Sequence, residues 1–157
     1  MSDAIVINGL CKKFDTFELD NISFSLPEGY IMGLIGPNGA GKTTTIKLML
    51  NMLKKSAGDI KILGMDSVED QNKIKENLGA VFDSNYFVQD WTVKQVEKSI
   101  GIFYSNWNSE QFHEMLKKYK LDPNKKVKEL SRGMQMKLML ACAFSHNAKL
   151  LILDEPT

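Results

Sequence analysis

Apolar positions along the chain follow two periods, and the switches between them mark the elements. Ala4 to Ile7 is a short, largely β-branched run, and Ile22, Phe24 and Leu26 alternate with Ser23 and Ser25. Both read as strands with one buried face, so the chain opens with antiparallel β structure. After the turn Pro27-Glu28-Gly29, the stretch Ile31 to Ile35 is continuously apolar and predicts a central strand covered on both faces. It runs through a glycine-rich loop into a helix predicted from about Lys42 to Leu53, which Ser56-Ala57-Gly58 breaks. Ile60 to Leu63 predicts another short strand, Glu69 to Asn77 a helix, and Ala80-Val81-Phe82 a third core strand.

The aromatic and amide residues from Asn85 to Trp91 predict an exposed loop, followed by helices over Val93 to Phe103 and Ser109 to Tyr119. In the second of these Ser109 is the expected N-cap, and Phe112, Met115, Leu116 and Tyr119 share one face. Ser131 is the expected cap of a further helix to about Ser145, ahead of the apolar strand Leu150 to Leu153. Strands alternating with helices predict a parallel α/β sheet with a helical insertion at about residues 84–135. There is no internal repeat and no low-complexity segment.

Composition narrows the class. In 157 residues, 43% hydrophobic content is enough for one real core. Lys and Arg number 20 against 19 Asp and Glu, so no broad electrostatic attraction to nucleic acid or an anionic membrane is expected. Cys11 and Cys142 lie far apart without metal-ligand spacing and read as buried thiols of a reducing compartment. The N-terminus lacks the basic and apolar regions of a signal peptide. No apolar run approaches the roughly 20 residues that span a bilayer. A soluble, cytoplasmic protein is expected, anchored by something else if it works at a membrane.

Two motifs carry chemistry. Gly36-Pro37-Asn38-Gly39-Ala40-Gly41-Lys42-Thr43 fits G-x-x-x-x-G-K-[ST] between a predicted strand and a predicted helix. The glycines let the backbone curl so that successive N–H groups face phosphate oxygens, and the helix start adds partial positive charge. Lys42 is the expected partner of the β- and γ-phosphates, Thr43 a Mg²⁺ ligand and Thr44 a further phosphate contact. The alternative is an ordinary glycine-rich strand-to-helix turn. The second motif is Asp154-Glu155, at the C-terminal end of the strand Leu150 to Leu153, where sites of parallel sheets lie. Asp154 is expected to hold Mg²⁺ through water, and Glu155 to polarise the water that attacks the γ-phosphate.

Leu130-Ser131-Arg132-Gly133-Met134, one helix before the acidic strand, resembles the LSGGQ signature of the ATP-binding-cassette (ABC) ATPases, in a variant form seen in many bacterial export systems. The whole chain is in register with that family. The resemblance implies an α/β P-loop NTPase fold of the ABC type, as one domain over residues 1–157. It has an N-terminal antiparallel β subdomain, an inserted helical subdomain and, over these residues, an incomplete core sheet. It implies ATP and Mg²⁺ as cofactors, and a homodimer or heterodimer of ATPase subunits in which Ser131 and the backbone at Gly133 face the γ-phosphate held by the opposite subunit. It also implies membrane permease subunits as partners, contacted through the loop Asn85 to Trp91, and no nucleic acid. An ABC ATPase of translation or DNA maintenance is the alternative, although tandem cassettes and a long coiled-coil insertion are not seen in this sequence.

Two positions align less fully with the family. Phe14 falls where an aromatic residue stacks on adenine, a core phenylalanine being the alternative. Asp83 stands where the family usually has the Q-loop glutamine that touches Mg²⁺ and the attacking water. It is read either as a hard oxygen ligand with shorter reach or as a solvent-facing loop residue. His113 and His146 do not occupy the place of the family's switch histidine. Met134, Met136, Met139, Trp91 and Trp107 read as packing residues, and Lys125, Lys126 and Lys128 as a solvated face.

Similar ABC domains continue beyond the acidic strand with an Asp-containing loop and a further core strand that ends in the switch histidine. That strand generally inserts between the phosphate-loop strand and the acidic strand. The expectation is a portion of a longer ATPase, weak in hydrolysis by itself, whose sheet gap is filled by repacking, swapping or a partner chain.

Overall fold

The computed structural model describes residues 2–154, and the chain divides into two compact units between residues 74 and 75. The first unit is built on an antiparallel sheet of β1 (Asp3–Lys13), β2 (Glu18–Pro27), β3 (Ala57–Ile62) and β4 (Met65–Asp66), in the order β2-β1-β3-β4. The pairings Ile5↔Leu26, Ile5↔Ile62 and Ile7↔Ile60 line up apolar residues across three strands. Ile7, Ile60 and Ile62 are completely buried, whereas Asp59 and Lys61, at the alternate positions of β3, face solvent. That period-2 alternation gives the sheet one dry face and fixes its register, since a one-residue slip would turn every isoleucine outward. Helix α1 (Lys42–Met49) belongs to the same unit and buries Thr45, Ile46, Leu48 and Met49. It is shorter than its sequence predicts: Leu50 closes it and Asn51 follows in the left-handed region, φ +52°.

One predicted element is corrected. Residues 31–35 form no strand, and Ile31 and Ile35 are 101% and 98% exposed. A continuous apolar strand is stable only when neighbours on its edges take up its backbone hydrogen bonds, and none of the described residues pairs with this stretch.

Helix α2 (Gln71–Glu76) leads to the second unit, whose sheet pairs β5 (Leu78–Val81) in parallel with β6 (Leu150–Leu153), Leu78↔Leu150 through Val81↔Leu153. Between them come α3 (Val93–Gly101), α4 (Ser109–Tyr119), a 3-10 turn (Val127–Glu129) and α5 (Arg132–Phe144). Phe112 and Leu116 of α4 meet Val93, Val96, Val127, Leu138 and Cys142 in one apolar cluster, with Met115 and Tyr119 against its edge. The helix starts are capped as local chemistry dictates. Thr92 and Gln95 form a reciprocal capping box on α3. On α4 the cap is Asn108, whose Oδ1 accepts from Gln111 N at 2.9 Å, so Ser109 is the first helical residue and not the N-cap its sequence predicts. Asparagine is as good a cap as serine, and here it lies one residue nearer the turn.

Met134, Met136 and Met139 pack as expected, and Trp107 lies against the apolar cluster. Trp91, in contrast, is 37% exposed on its loop, where its N–H donates to Val88 O at 3.0 Å and its carbonyl accepts from Val127 N at 2.9 Å. His146 is fully buried, stacks on Tyr104 at 3.9 Å, and places its ring nitrogens 3.2 Å from Cys142 O and 3.1 Å from Leu78 O. It thereby joins the end of α5 to the start of β5.

Two outcomes follow from this packing. Ile60→Ala, which empties the centre of the sheet's dry face, is expected to cost about 2–5 kcal/mol, read from urea unfolding. Burial pushes the Cys142 thiol up to about 12, so a thiol reagent at neutral pH should label Cys142 only after unfolding.

Candidate functional site

The phosphate-loop motif is a turn that delivers the chain into a helix. Ala40 N donates to Pro37 O at 3.1 Å, and Gly39 and Gly41 take φ of +83° and +92°. Gly41 is the N-cap of α1 and supplies no side-chain acceptor to the first turn. Its place requires glycine twice over. The left-handed backbone disfavours any side chain, and a Cβ there would sit 2.8 Å from Leu19 Cδ1 and 3.1 Å from Phe17 Cζ. Lys42 turns back over the loop, its Nζ donating to Gly36 O at 2.8 Å and Pro37 O at 3.1 Å. Thr45, buried one turn on, donates its hydroxyl to Gly41 O at 2.9 Å and holds the base of the loop to the helix. Asn38, Gly39 and Ala40 are exposed, and Thr43 and Thr44 half-buried in the first turn of α1.

Phe14 lies in the turn between β1 and β2 and is 38% exposed, so it is not a core residue. Its N–H donates to Phe17 O at 2.8 Å, its ring lies 6.1 Å from that of Phe17, and Lys12 Nζ sits over it at 5.2 Å. Phe17 escaped the sequence reading. It is the aromatic residue that touches the phosphate loop, and only its spacing from Phe14 marks it.

In the second unit the parallel pairing brings two acidic residues to one edge. Asp154 N donates to Val81 O at 2.8 Å, extending the β5–β6 ladder by one residue. Asp154 is buried there, and Asp83, two residues past the end of β5, is exposed. Both lie at the carboxyl end of the strands, where parallel sheets form their sites. Glu155 lies outside the described residues.

Ser131 is the N-cap of α5, its Oγ accepting from Met134 N at 3.3 Å. Gly133 follows in the first turn, with open space around the position a Cβ would take. Nothing within the described chain therefore demands a glycine there. The turn is held from behind by Gln135, whose side-chain amide donates to Val127 O and Leu130 O. The exposed loop alongside presents Tyr86 and Val88 to solvent. Its Asp90 pairs with Lys128 at 2.6 Å, and the hydrogen bond and charge of that ammonium hold the Asp90 carboxyl below the usual carboxylate range. Lys128 is thus an ion-pair partner on a surface the sequence marks only as solvated. Among the described residues no helix is long and apolar enough to cross a membrane, and no cluster of His, Cys, Asp and Glu is built to hold a metal ion by itself.

Comparison with known proteins agrees with this geometry. The chain is 36% identical over 154 residues to the uncharacterized ABC transporter ATP-binding protein YdbJ of Bacillus subtilis, covering 96% of this chain and 50% of that one. It is 31% identical over 139 residues to the ABC transporter ATP-binding protein YtrB of the same organism, covering 88% and 47%. The chain therefore spans about half the length of these curated relatives. Among solved structures, an ABC transporter ATP-binding protein from Pyrococcus furiosus superposes with a TM-score of 0.81 at 27% identity, over 99% of this chain and 76% of that one. A cassette of an ABC transporter in its ADP conformation superposes with a TM-score of 0.78 at 25% identity, over 99% and 70%. The fold is the mixed α/β fold of the ABC ATPases. With the ABC transporter family profile matching residues 19–157, the chain belongs to the ABC transporter family, as part of its ATP-binding domain.

Proposed function

We propose that the protein is the ATP-binding and ATP-hydrolysing motor subunit of an ABC transporter, which drives translocation through separate permease subunits. The observation that carries this reading is the phosphate loop: positive-φ glycines lead into a helix start without a side-chain cap, and Lys42 is folded over the carbonyls of Gly36 and Pro37. An ammonium held on neutral carbonyl oxygens gains energy by moving to a phosphate, where the bond is charge-assisted on both sides. The backbone N–H groups at the start of α1 supply the rest of an anion cradle.

In this reading the chain is one ABC domain with a helical subdomain at about residues 84–135. Thr43 and Asp154 present hard oxygen donors of the kind Mg²⁺ prefers, with Asp83 as a further one, and Glu155 polarises the attacking water. Mg²⁺ would lower the charge on the phosphates. The exposure of Phe14 beside a cation supports its stacking on a base. Ser131 and the open space at Gly133 support close approach of a γ-phosphate bound by a second subunit, so that two ATPs bind at the interface of a homodimer or heterodimer. Tyr86, 74% exposed, and Val88 beside it support a permease contact on their loop. Such a protein works in the cytoplasm at the inner face of the membrane. With 20 Lys and Arg against 19 Asp and Glu, no nucleic-acid partner is part of this reading.

Mg-ATP is expected to bind saturably in calorimetry, and Lys42→Ala to weaken binding by about tenfold or more, worth about 1.4 kcal/mol. No saturable binding to the folded wild type would remove the proposal. Gly41→Ala is expected to lose ATP affinity as well, and also to lower stability by about 1–3 kcal/mol through its contact with Leu19. Lys42→Ala should leave the unfolding midpoint nearly in place, which separates the two variants. Where turnover is measurable, Glu155→Gln should lower kcat by about 10²–10⁴.

A further inference from the structure

Gln135, immediately behind the turn Leu130–Met134, is half-buried and uses both sides of its amide. Its Nε2 donates to Val127 O and Leu130 O, each at 3.1 Å, and its Oε1 accepts from Asn85 Nδ2. Asn85 Oδ1 in turn accepts from Phe87 N at 3.1 Å and from Gln89 Nε2 at 3.3 Å, and Gln89 Nε2 also donates to Phe87 O at 3.2 Å. The orientation of both amides follows from backbone groups whose character cannot change. Two carbonyls facing Gln135 require its nitrogen there, which leaves its oxygen for Asn85. The Phe87 N–H requires the oxygen of Asn85, which leaves its nitrogen for Gln135.

The backbone joins the same two segments. Val127 N donates to Trp91 O at 2.9 Å, Lys128 N to Gln89 O at 3.0 Å and Val93 N to Lys125 O at 3.0 Å. Residues 85–93 and 125–131 thus run antiparallel in one hydrogen-bonded plate, with the exposed Tyr86 and Val88 toward the same end as Ser131 and the start of α3 at the other. The backbone bonds hold the middle of the plate. At the signature end the Gln135–Asn85 pair is the side-chain bridge, reaching from the carbonyl of Leu130, next to Ser131, into the start of the exposed loop.

We propose that Gln135 is a positioning residue: through Asn85 it ties the signature turn at Ser131 to the exposed loop 85–91, so that displacement of the loop moves the N-terminus of α5. The consequence for turnover rests on the reading of that N-terminus as a γ-phosphate contact; the mechanical link does not. Gln135→Glu keeps length and the acceptor for Asn85 but sets a carboxylate against the carbonyls of Val127 and Leu130. Combining N85D with Q135K restores complementarity, because an ammonium donates to both carbonyls and to a carboxylate that still accepts from Phe87 N and Gln89.

The test is hydrogen exchange and ATP turnover in the intact protein. Q135E should speed amide exchange over residues 130–134 by about tenfold or more while α1 is unchanged, and N85D/Q135K should return it to within about threefold of wild type. Asn85→Ala, which leaves the two donor bonds of Gln135 in place, should speed exchange over residues 85–89 and, more weakly, over 130–134. In turnover, Q135E should lower kcat by about tenfold with KM for ATP within about twofold, and the paired variant should recover it. Unchanged exchange at 130–134 in folded Q135E, or no recovery in folded N85D/Q135K, overturns the link. Should Q135E fail to fold, recovery by the paired variant relative to Q135K alone decides the same point. A wild type that neither binds nor hydrolyses ATP would remove the motor reading, while the exchange comparison would still decide the role of Gln135.

Discussion

The first turn of an α-helix leaves backbone N–H groups without intrahelical acceptors, and the phosphate-loop and signature motifs each lead into such a helix start. At α1 the cap is Gly41, which has no side chain to offer. At α5 the cap is Ser131, whose Oγ accepts from Met134 N. The first arrangement leaves the start of α1 without a side-chain cap, and the second offers one hydroxyl and a glycine that nothing among the described residues crowds. In both cases the chemistry belongs to the main chain, and side chains serve to hold it in place. Thr45 and Leu19 do so at α1, and Gln135 does so at α5.

Each helix start is only as precise as the packing behind it. In the second unit Phe112, Val127 and Leu138 are fully buried in one cluster, which fixes the 3-10 turn and α5 against α4. His146, stacked on Tyr104 and facing two backbone carbonyls, joins the far end of α5 to the strand β5. The edge that carries Asp83 and Asp154 and the turn that carries Ser131 are therefore parts of one packed body. In the first unit the loop rests on Phe17 and Leu19, which extends the influence of the antiparallel sheet to the glycine that begins α1.

The apolar run at residues 31–35 shows the limit of reading burial from composition. Its side chains are those of a buried strand, yet Ile31 and Ile35 are fully exposed. Hydrophobic character states what a segment gains if covered. Pairing decides whether it is covered, because the backbone groups of a strand buried away from water need partners on its neighbours. The same distinction separates Trp91, apolar but exposed, from Trp107, which found a cluster to join.

The local sequence alone determined most of the elements and the motif positions. The alternation in β2 and β3, the helix capped by Ser131, the apolar strand before Asp154 and the phosphate-loop spacing are all short-range patterns, set by side-chain period and cap chemistry within a few residues. The family resemblance was legible for the same reason, since Gly36–Thr43, Leu130–Met134 and Asp154-Glu155 are contiguous. Contacts between distant positions were decided only by the tertiary structure. Phe17 on Gly41, Gln135 on Asn85, Lys128 on Asp90 and the absent strand at 31–35 each depend on a partner 24 or more residues away or on the want of one. No period or spacing along a single chain encodes which such partner will be met.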